Sequence, residues 1–129
     1  MAYERGNGGQ LRTPHRIGIL AAGWTGVIHV ALWLGVVEPS PGPMSPLGIS
    51  FLMAGITFFT GAYLVRANIR RRIVYLLGIP FTAGQILLWY VLNFDGIADM
   101  LSSAGAVGAS DKIAQVILIA TLTYLLSRD

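Results

Sequence analysis

The chain of 129 residues contains no cysteine. This absence excludes disulfides, a thiolate nucleophile and cysteine-ligated metal clusters, and it leaves the redox compartment undefined. Charged residues are also scarce, at 12%, whereas hydrophobic residues make up 54% of the chain. A water-soluble fold of this length could not cover its surface with so few polar groups. The composition therefore predicts a single domain embedded in a lipid bilayer.

Lysine is nearly absent as well, because Lys112 is the only lysine among the nine basic residues. The formal net charge is +3, yet the arginines border apolar stretches and do not form a basic face with interleaved aromatic residues. Membrane topology explains that pattern better than nucleic-acid binding does. We therefore expect membrane lipid as a partner and no nucleic acid.

The stretch RRRIVYLLGIPFTAGQILLWYVLN runs from Arg70 to Asn93 and contains about twenty consecutive uncharged residues, the length that a bilayer core requires. Short basic loops stay on the cytoplasmic side. With this helix oriented by its arginines, the other apolar stretches give four spans, at about residues 16–37, 47–66, 72–93 and 111–127. The sequence thus predicts an all-α, integral membrane four-helix up-down bundle with both termini in the cytoplasm (N-in/C-in).

Proline, glycine and acidic residues predict the structure of the segments outside the spans. Residues 1–15 are polar and lack apolar periodicity, so they are predicted to be a disordered cytoplasmic tail. A cleaved signal peptide is the alternative, but the apolar run 17–37 is too long for one. Prolines are predicted to stop the first span after Val37, and Pro80 to bend the third. Ser110 or Asp111 is predicted to cap the last and shortest span, for which a re-entrant or surface helix is the alternative. A short interfacial turn is expected near residues 97–101.

Small residues at helical spacing predict where the helices meet, because close backbone approach holds helices together in lipid. The predicted contact faces comprise Gly18, Ala22, Gly26, Ala54, Gly61, Gly78 and Thr82. Intramembrane polar residues gather toward the outer half, where they are predicted to line a pocket open to the outside. Its predicted members are His29, Gln85, Gln115, Tyr90, Asn93 and Thr57. The alternative is that His29 and the glutamines only form hydrogen bonds that fix the register of the bundle.

The triple arginine Arg70, Arg71 and Arg72 is a topology signal and also a candidate site for anionic lipid headgroups. No catalytic constellation is recognisable, so we do not expect an enzyme. No metal site is predicted, because His29 is the only good ligand within the membrane; a haem would need His29 from two copies or a partner protein. The acidic residues between the last two spans match no calcium-binding loop. The sequence identifies no cofactor.

The segment from Arg70 to Asn93, the SDKIAQV at the start of the last span and the GVIH around His29 resemble small four-helix membrane proteins of halophilic archaea. The resemblance covers about three of the four spans. It implies the four-helix topology and an archaeal plasma membrane. That family has no established activity, so no catalytic residue is transferred.

Glycine-rich contact faces and little extramembrane chain favour an interaction role. The predicted function is an accessory or scaffold subunit that packs against partner membrane proteins, against itself as a homo-oligomer, or around a lipid-like apolar ligand. One alternative is a homo-oligomeric channel or transporter with a polar pathway near His29, Thr57 and Gln85. A second alternative is a redox anchor that carries haem or a pigment.

Overall fold

The computed structural model describes residues 11–37 and 41–128. These residues form five helices and no strand: α1 Thr13–Leu34, α2 Pro46–Arg66, α3 Arg71–Asn93, α4 Ile97–Ser103 and α5 Ala106–Arg128. All except α4 are long and apolar enough to cross a membrane. The predicted all-helical class and the four apolar helices are therefore confirmed, as is the short turn at α4. Most of the predicted tail, residues 1–10, lies outside the described residues.

The four long helices pack with alternating direction. Thr25 on α1 lies beside Asp111 on α5, whereas Gly18 lies beside Leu118, so these two helices are antiparallel. Helices α3 and α5 touch near both of their ends, and the order of these contacts shows that they are antiparallel as well. Helix α1 packs closely on α2 and α5, and α5 packs on α3, whereas α2 packs far less closely on α3. The bundle is therefore tight on three sides and loose on the fourth.

The first helix is shifted relative to its predicted bounds. It begins at Thr13 because Pro14 suits the first turn and the Arg12 N–H donates to His15 Nδ1 at 3.1 Å. His15 is thus a buried helical residue and not part of a tail. The helix ends at Leu34, before any proline, because Gly35 adopts a left-handed conformation with φ of 82°. Glycine takes this conformation without the penalty that a Cβ brings, so it ends the helix three residues earlier than predicted.

The last helix begins five residues earlier than predicted, at Ala106. Asp111 was expected to cap it, but Asp111 lies in the second turn and is buried against α1. With 23 residues, α5 is about 34 Å long, which is enough to cross a hydrocarbon core. This length favours a complete crossing over a re-entrant or surface helix.

The crossing of α1 and α2 depends on two glycines. A Cβ added at Gly55 would lie 2.8 Å from Val30 Cγ2 and 3.2 Å from the carbonyl oxygen of Gly26. A Cβ at Gly26 would in turn lie 2.9 Å from the ring of Phe59. The two backbones can approach this closely only because neither residue carries a side chain.

Apolar side chains cover the outside of the bundle. Leu20, Leu77 and Leu92 are 72%, 66% and 68% exposed. Exposed apolar side chains also occur on α2 and α5, so the outer surface offers large leucines and isoleucines on every long helix. Such a surface suits hydrocarbon and would aggregate in water.

Candidate functional site

The bundle has two chemically different ends. The beginning of α1, the end of α2, the beginning of α3 and the end of α5 carry the arginines, and we name this the arginine end. The opposite end carries Asp95 and Asp99 in the connection around α4, and we name it the acidic end. Two features lie between these ends: a buried polar cluster nearer the acidic end and an apolar cavity nearer the arginine end.

The polar cluster comprises Thr25 and His29 from α1, Gln85 from α3, and Asp111 and Gln115 from α5. Thr25 is its centre. Its hydroxyl donates to the Asp111 carboxylate and accepts a hydrogen bond of 3.0 Å from Gln115 Nε2. Thr25 and Gln115 are both fully buried, so these bonds join α1 to α5 inside the bundle.

His29 is held by its own helix and by the three other long helices. Its Nδ1 lies 2.8 Å from the carbonyl oxygen of Thr25, so this nitrogen carries a hydrogen and donates it. The same nitrogen lies 3.9 Å from Asp111 Oδ1. Phe51 and Phe58 of α2 place their ring centres 5.8 and 5.7 Å from the imidazole, and the Gln85 side chain interacts with it from α3. The imidazole is therefore enclosed on all sides, and its orientation is fixed.

Asp111 is neutralised by its neighbour. Lys112 Nζ lies 2.8 Å from Asp111 Oδ2, and both side chains are largely buried, at 12% and 5% exposure. The Lys112 ammonium also sits 5.6 Å from the centre of the Trp89 ring. A carboxylate inside a membrane bundle is costly unless it is paired and hydrogen-bonded. Here Lys112 forms an ion pair with the carboxylate, and Thr25 donates a hydrogen bond to it.

The predicted pocket is brought together only in part. His29, Gln85 and Gln115 meet in the polar cluster. Asn93 is exposed, and its amide donates to the Trp89 carbonyl on the same helix at 2.8 Å. Tyr90 is half-buried. The cluster is closed and not an open pocket, since its main members are buried.

Thr57 does not belong to the polar cluster. It is exposed, its hydroxyl donates to the Met53 carbonyl at 2.8 Å, and it lines the apolar cavity. Thr25 and Asp111 are the cluster members that sequence reasoning missed. The signal was present, because Thr25 lies four residues before His29 and Asp111 four residues before Gln115, which places each pair on one helix face.

The apolar cavity has a volume of about 350 Å³ and is bounded by α1, α2, α3 and α5. Its wall is almost entirely apolar and includes Ala22, Phe58, Gly61, Phe81, Leu118 and Leu122. Several wall residues, such as Ile56 and Leu77, are also exposed on the outside of the bundle. The cavity therefore opens sideways, where α2 and α3 pack loosely.

The predicted contact faces are distributed between the helix crossings and this cavity. Gly18 faces Thr121 and Leu118, and Gly78 faces Leu122, so both allow close packing on α5. Ala22, Gly61 and Thr82 line the cavity, as Gly18 and Gly78 also do. Ala54 is buried, beside the Gly26–Gly55 crossing.

Two buried polar atoms have no hydrogen-bond partner within the described chain, namely Thr82 Oγ1 and Gln115 Oε1. The carbonyl that Pro80 releases therefore does not receive the Thr82 hydroxyl. Buried polar atoms are nearly always hydrogen-bonded, so these two stand out.

The three arginines differ in environment. Arg70 and Arg72 are exposed, whereas Arg71 is 6% exposed, and its Nε donates to the Val65 carbonyl at 2.8 Å. Arg71 thus secures the end of α2 against the start of α3. Of the predicted lipid-binding set, Arg70 and Arg72 are accessible to a headgroup, and Arg71 is not.

Histidine and carboxylate side chains are the candidate metal ligands of this chain. No group of three histidine, aspartate or glutamate side chains lies together in residues 11–37 and 41–128. His15 and His29 are both on α1, fourteen residues apart, which corresponds to about 21 Å along the helix. They could not ligate one haem iron from the same copy of the chain.

Comparison with protein-family models, with curated proteins and with solved structures found no match to this chain. The function is therefore inferred from the geometry of the cavity and of the polar cluster.

Proposed function

We propose that this chain is a small polytopic membrane protein that holds a lipid-like apolar ligand between its helices. The observation that supports the proposal is the cavity of about 350 Å³ bounded by four helices and lined almost entirely by apolar atoms. Pockets that bind small molecules have volumes of about 300–1,000 Å³, so the size is adequate.

The position of the cavity indicates how such a ligand would enter. Apolar cavities are not hydrated, because water finds no hydrogen-bonding partners in them. A cavity that opens sideways between two membrane helices faces hydrocarbon, and the molecules available there are lipid chains or other apolar compounds. An apolar ligand would also contact Leu77 and Ile56, which border the opening.

We place the arginine end in the cytoplasm, in the plasma membrane, with both termini inside. Arg16, Arg66, Arg70 and Arg72 are exposed at that end, which agrees with the tendency of arginine-rich loops to remain where the chain is made. Exposed arginines at that end would favour neighbouring lipids with anionic headgroups.

The binding proposal is tested by filling the cavity. Gly61 lines it, and a Cβ there would meet only Val74, at 3.8 Å, so Gly61→Leu is expected to fold and to occupy the space. Gly84→Leu is the matched control, since a Cβ at Gly84 has nothing within 4 Å. Mass spectrometry of protein extracted in mild detergent is expected to show one retained apolar molecule for the wild type and for Gly84→Leu, and none for Gly61→Leu. Equal retention by both variants would contradict the proposal.

Association with another membrane protein or a second copy is a second candidate, and α3 favours it. Only 11% of the apolar window of α3 is buried, compared with 44% for α1. A photo-crosslinking residue at Leu88 on α3 is expected to capture a discrete protein in native membranes, and one at Leu20 on α1 is not. Lipid adducts alone at both positions would exclude this role for α3.

The channel alternative is not favoured, since Thr57 lies apart from His29.

A further inference from the structure

The apolar cavity contains one polar atom that the fold leaves without a partner. Thr82 is 1% exposed and lines the cavity, and its Oγ1 has no hydrogen-bond partner in the described part of the chain. Threonine side chains in a helix lean toward the N-terminus of that helix. For α3 this direction leads toward the arginine end, where the cavity lies. Thr82 is thus a residue of the cavity wall whose hydroxyl still lacks a partner, and a ligand in the cavity could supply one.

Three other threonines of the bundle satisfy their hydroxyls within their own helix. Thr57, Thr121 and Thr123 each donate to the carbonyl four residues earlier, at 2.7 to 2.8 Å. Thr82 does not do so, although it is more buried than any of them. An unsatisfied buried hydroxyl is unfavourable, and a group that hydrogen-bonds to it would bind more tightly than one that cannot.

We propose that the ligand of the cavity is an apolar molecule with one uncharged hydroxyl or carbonyl group, and that this group hydrogen-bonds to Thr82 Oγ1. The inference rests on the proposed ligand-binding function and specifies the class of ligand. A water molecule is a poor substitute, because it needs two to four polar partners and the wall near Thr82 offers Phe81, Gly78 and Leu118.

The bound group is uncharged because the wall offers nothing to pair with a charge. Among the described wall residues, His15 is the only ionisable one, and it lies near the start of α1. From Thr82 to the arginine end the remaining wall is mainly aliphatic and aromatic, which suits the apolar body of the ligand. A hydroxyl or carbonyl can bond with threonine, since a threonine hydroxyl both donates and accepts.

The test compares 1-dodecanol with dodecane in liposomes that contain the purified protein. Each compound competes, at equal mole fraction in the bilayer, with a hydrocarbon chain that carries a photoactivatable diazirine, and labelling of cavity peptides is measured by mass spectrometry. One hydrogen bond in lipid corresponds to about a fivefold preference for the alcohol. The preference is expected to disappear in Thr82→Val and to persist in Thr82→Ser.

Thr121→Val is the control, because the Thr121 hydroxyl is already bonded to the Ile117 carbonyl and Thr121 is not among the described residues of the cavity wall. It is expected to retain the preference. If the two compounds compete equally in the wild type, or if Thr121→Val and Thr82→Val behave alike, the inference is wrong, although the binding proposal survives. If the cavity peptides are not labelled at all, the binding proposal fails, and the inference fails with it.

Discussion

Replacing Thr25 with valine removes the hydroxyl that joins α1 to α5 while retaining the shape of the side chain. The variant loses the donor to Asp111 and the acceptor for Gln115 Nε2, both inside the bundle. Hydrogen bonds between membrane helices contribute about 0.6 kcal/mol on average and up to about 1.7 kcal/mol. A bond to a charged group contributes about 1.5–3 kcal/mol. We expect Thr25→Val to lower the free energy of unfolding by about 2–3 kcal/mol.

The assay for Thr25→Val is reversible unfolding in mixed micelles of a mild detergent and dodecyl sulfate, followed by circular dichroism. Thr123→Val is the control, since the Thr123 hydroxyl is exposed and bonds to the Ile119 carbonyl of its own helix at 2.8 Å. It is expected to change the free energy of unfolding by less than about 0.5 kcal/mol. Equal losses in the two variants would refute the argument that Thr25 is the centre of the polar cluster.

Three further predictions concern other parts of the chain. Gly55→Leu is expected to lower the free energy of unfolding by more than about 2 kcal/mol in the same assay, because its side chain would collide with Val30 and overpack the crossing of α1 and α2. Asp99, at the acidic end, is expected to titrate below its usual value of 3.8 when followed by carboxyl-carbon NMR. A tag fused after Asp129 is expected to be inaccessible to impermeant reagents on intact cells, since the proposed topology places it in the cytoplasm.

Each of these three predictions has an outcome that contradicts it. Gly23→Leu, where a Cβ meets nothing within 4 Å, is the control for Gly55→Leu, and similar losses would refute the close crossing. An Asp99 midpoint at or above 3.8 would contradict the hydrogen-bond pattern around it. Labelling of the tag on intact cells would overturn the assigned number of crossings.

The direction of the Asp99 prediction follows from its hydrogen bonds. The Asp95 N–H, at 2.9 Å, and the Ser103 hydroxyl, at 2.7 Å, donate to the Asp99 carboxylate and lower its pKa. Because the ionised form is favoured in the folded state, this contribution is present above the unfolded pKa and is lost as the pH falls through the folded pKa. The short helix α4 is therefore expected to fray on acidification, and Asp99→Asn is expected to remove that pH dependence.

The existence of the four long helices could be predicted from the sequence, because uncharged stretches of this length are compatible with few structures other than membrane-spanning helices. The residues at which the helices begin and end were harder to predict. Prolines were expected to end α1, but a left-handed Gly35 ends it earlier, and no pattern of apolar residues reveals such a conformation. Asp111 was interpreted as a helix cap because acids are favourable there. Its burial depends on Thr25, which is 86 residues away in the chain.

The polar cluster was predictable in outline, and the cavity was not. Polar residues in a membrane helix must find partners, so His29, Gln85 and Gln115 were expected to meet. Thr57 was grouped with them as a polar residue within a predicted span, although it lines the apolar cavity instead. The cavity lies where α2 packs loosely on α3. The distance between two helices is a property of the assembled bundle and not of either helix alone.

A density map of the protein in nanodiscs assembled from the lipids of its own membrane tests the binding proposal most directly. We expect elongated non-protein density inside the bundle, entering between α2 and α3 and bounded by Gly61 and Phe81. A map in which α2 packs tightly against α3, with no space and no density between them, would contradict it.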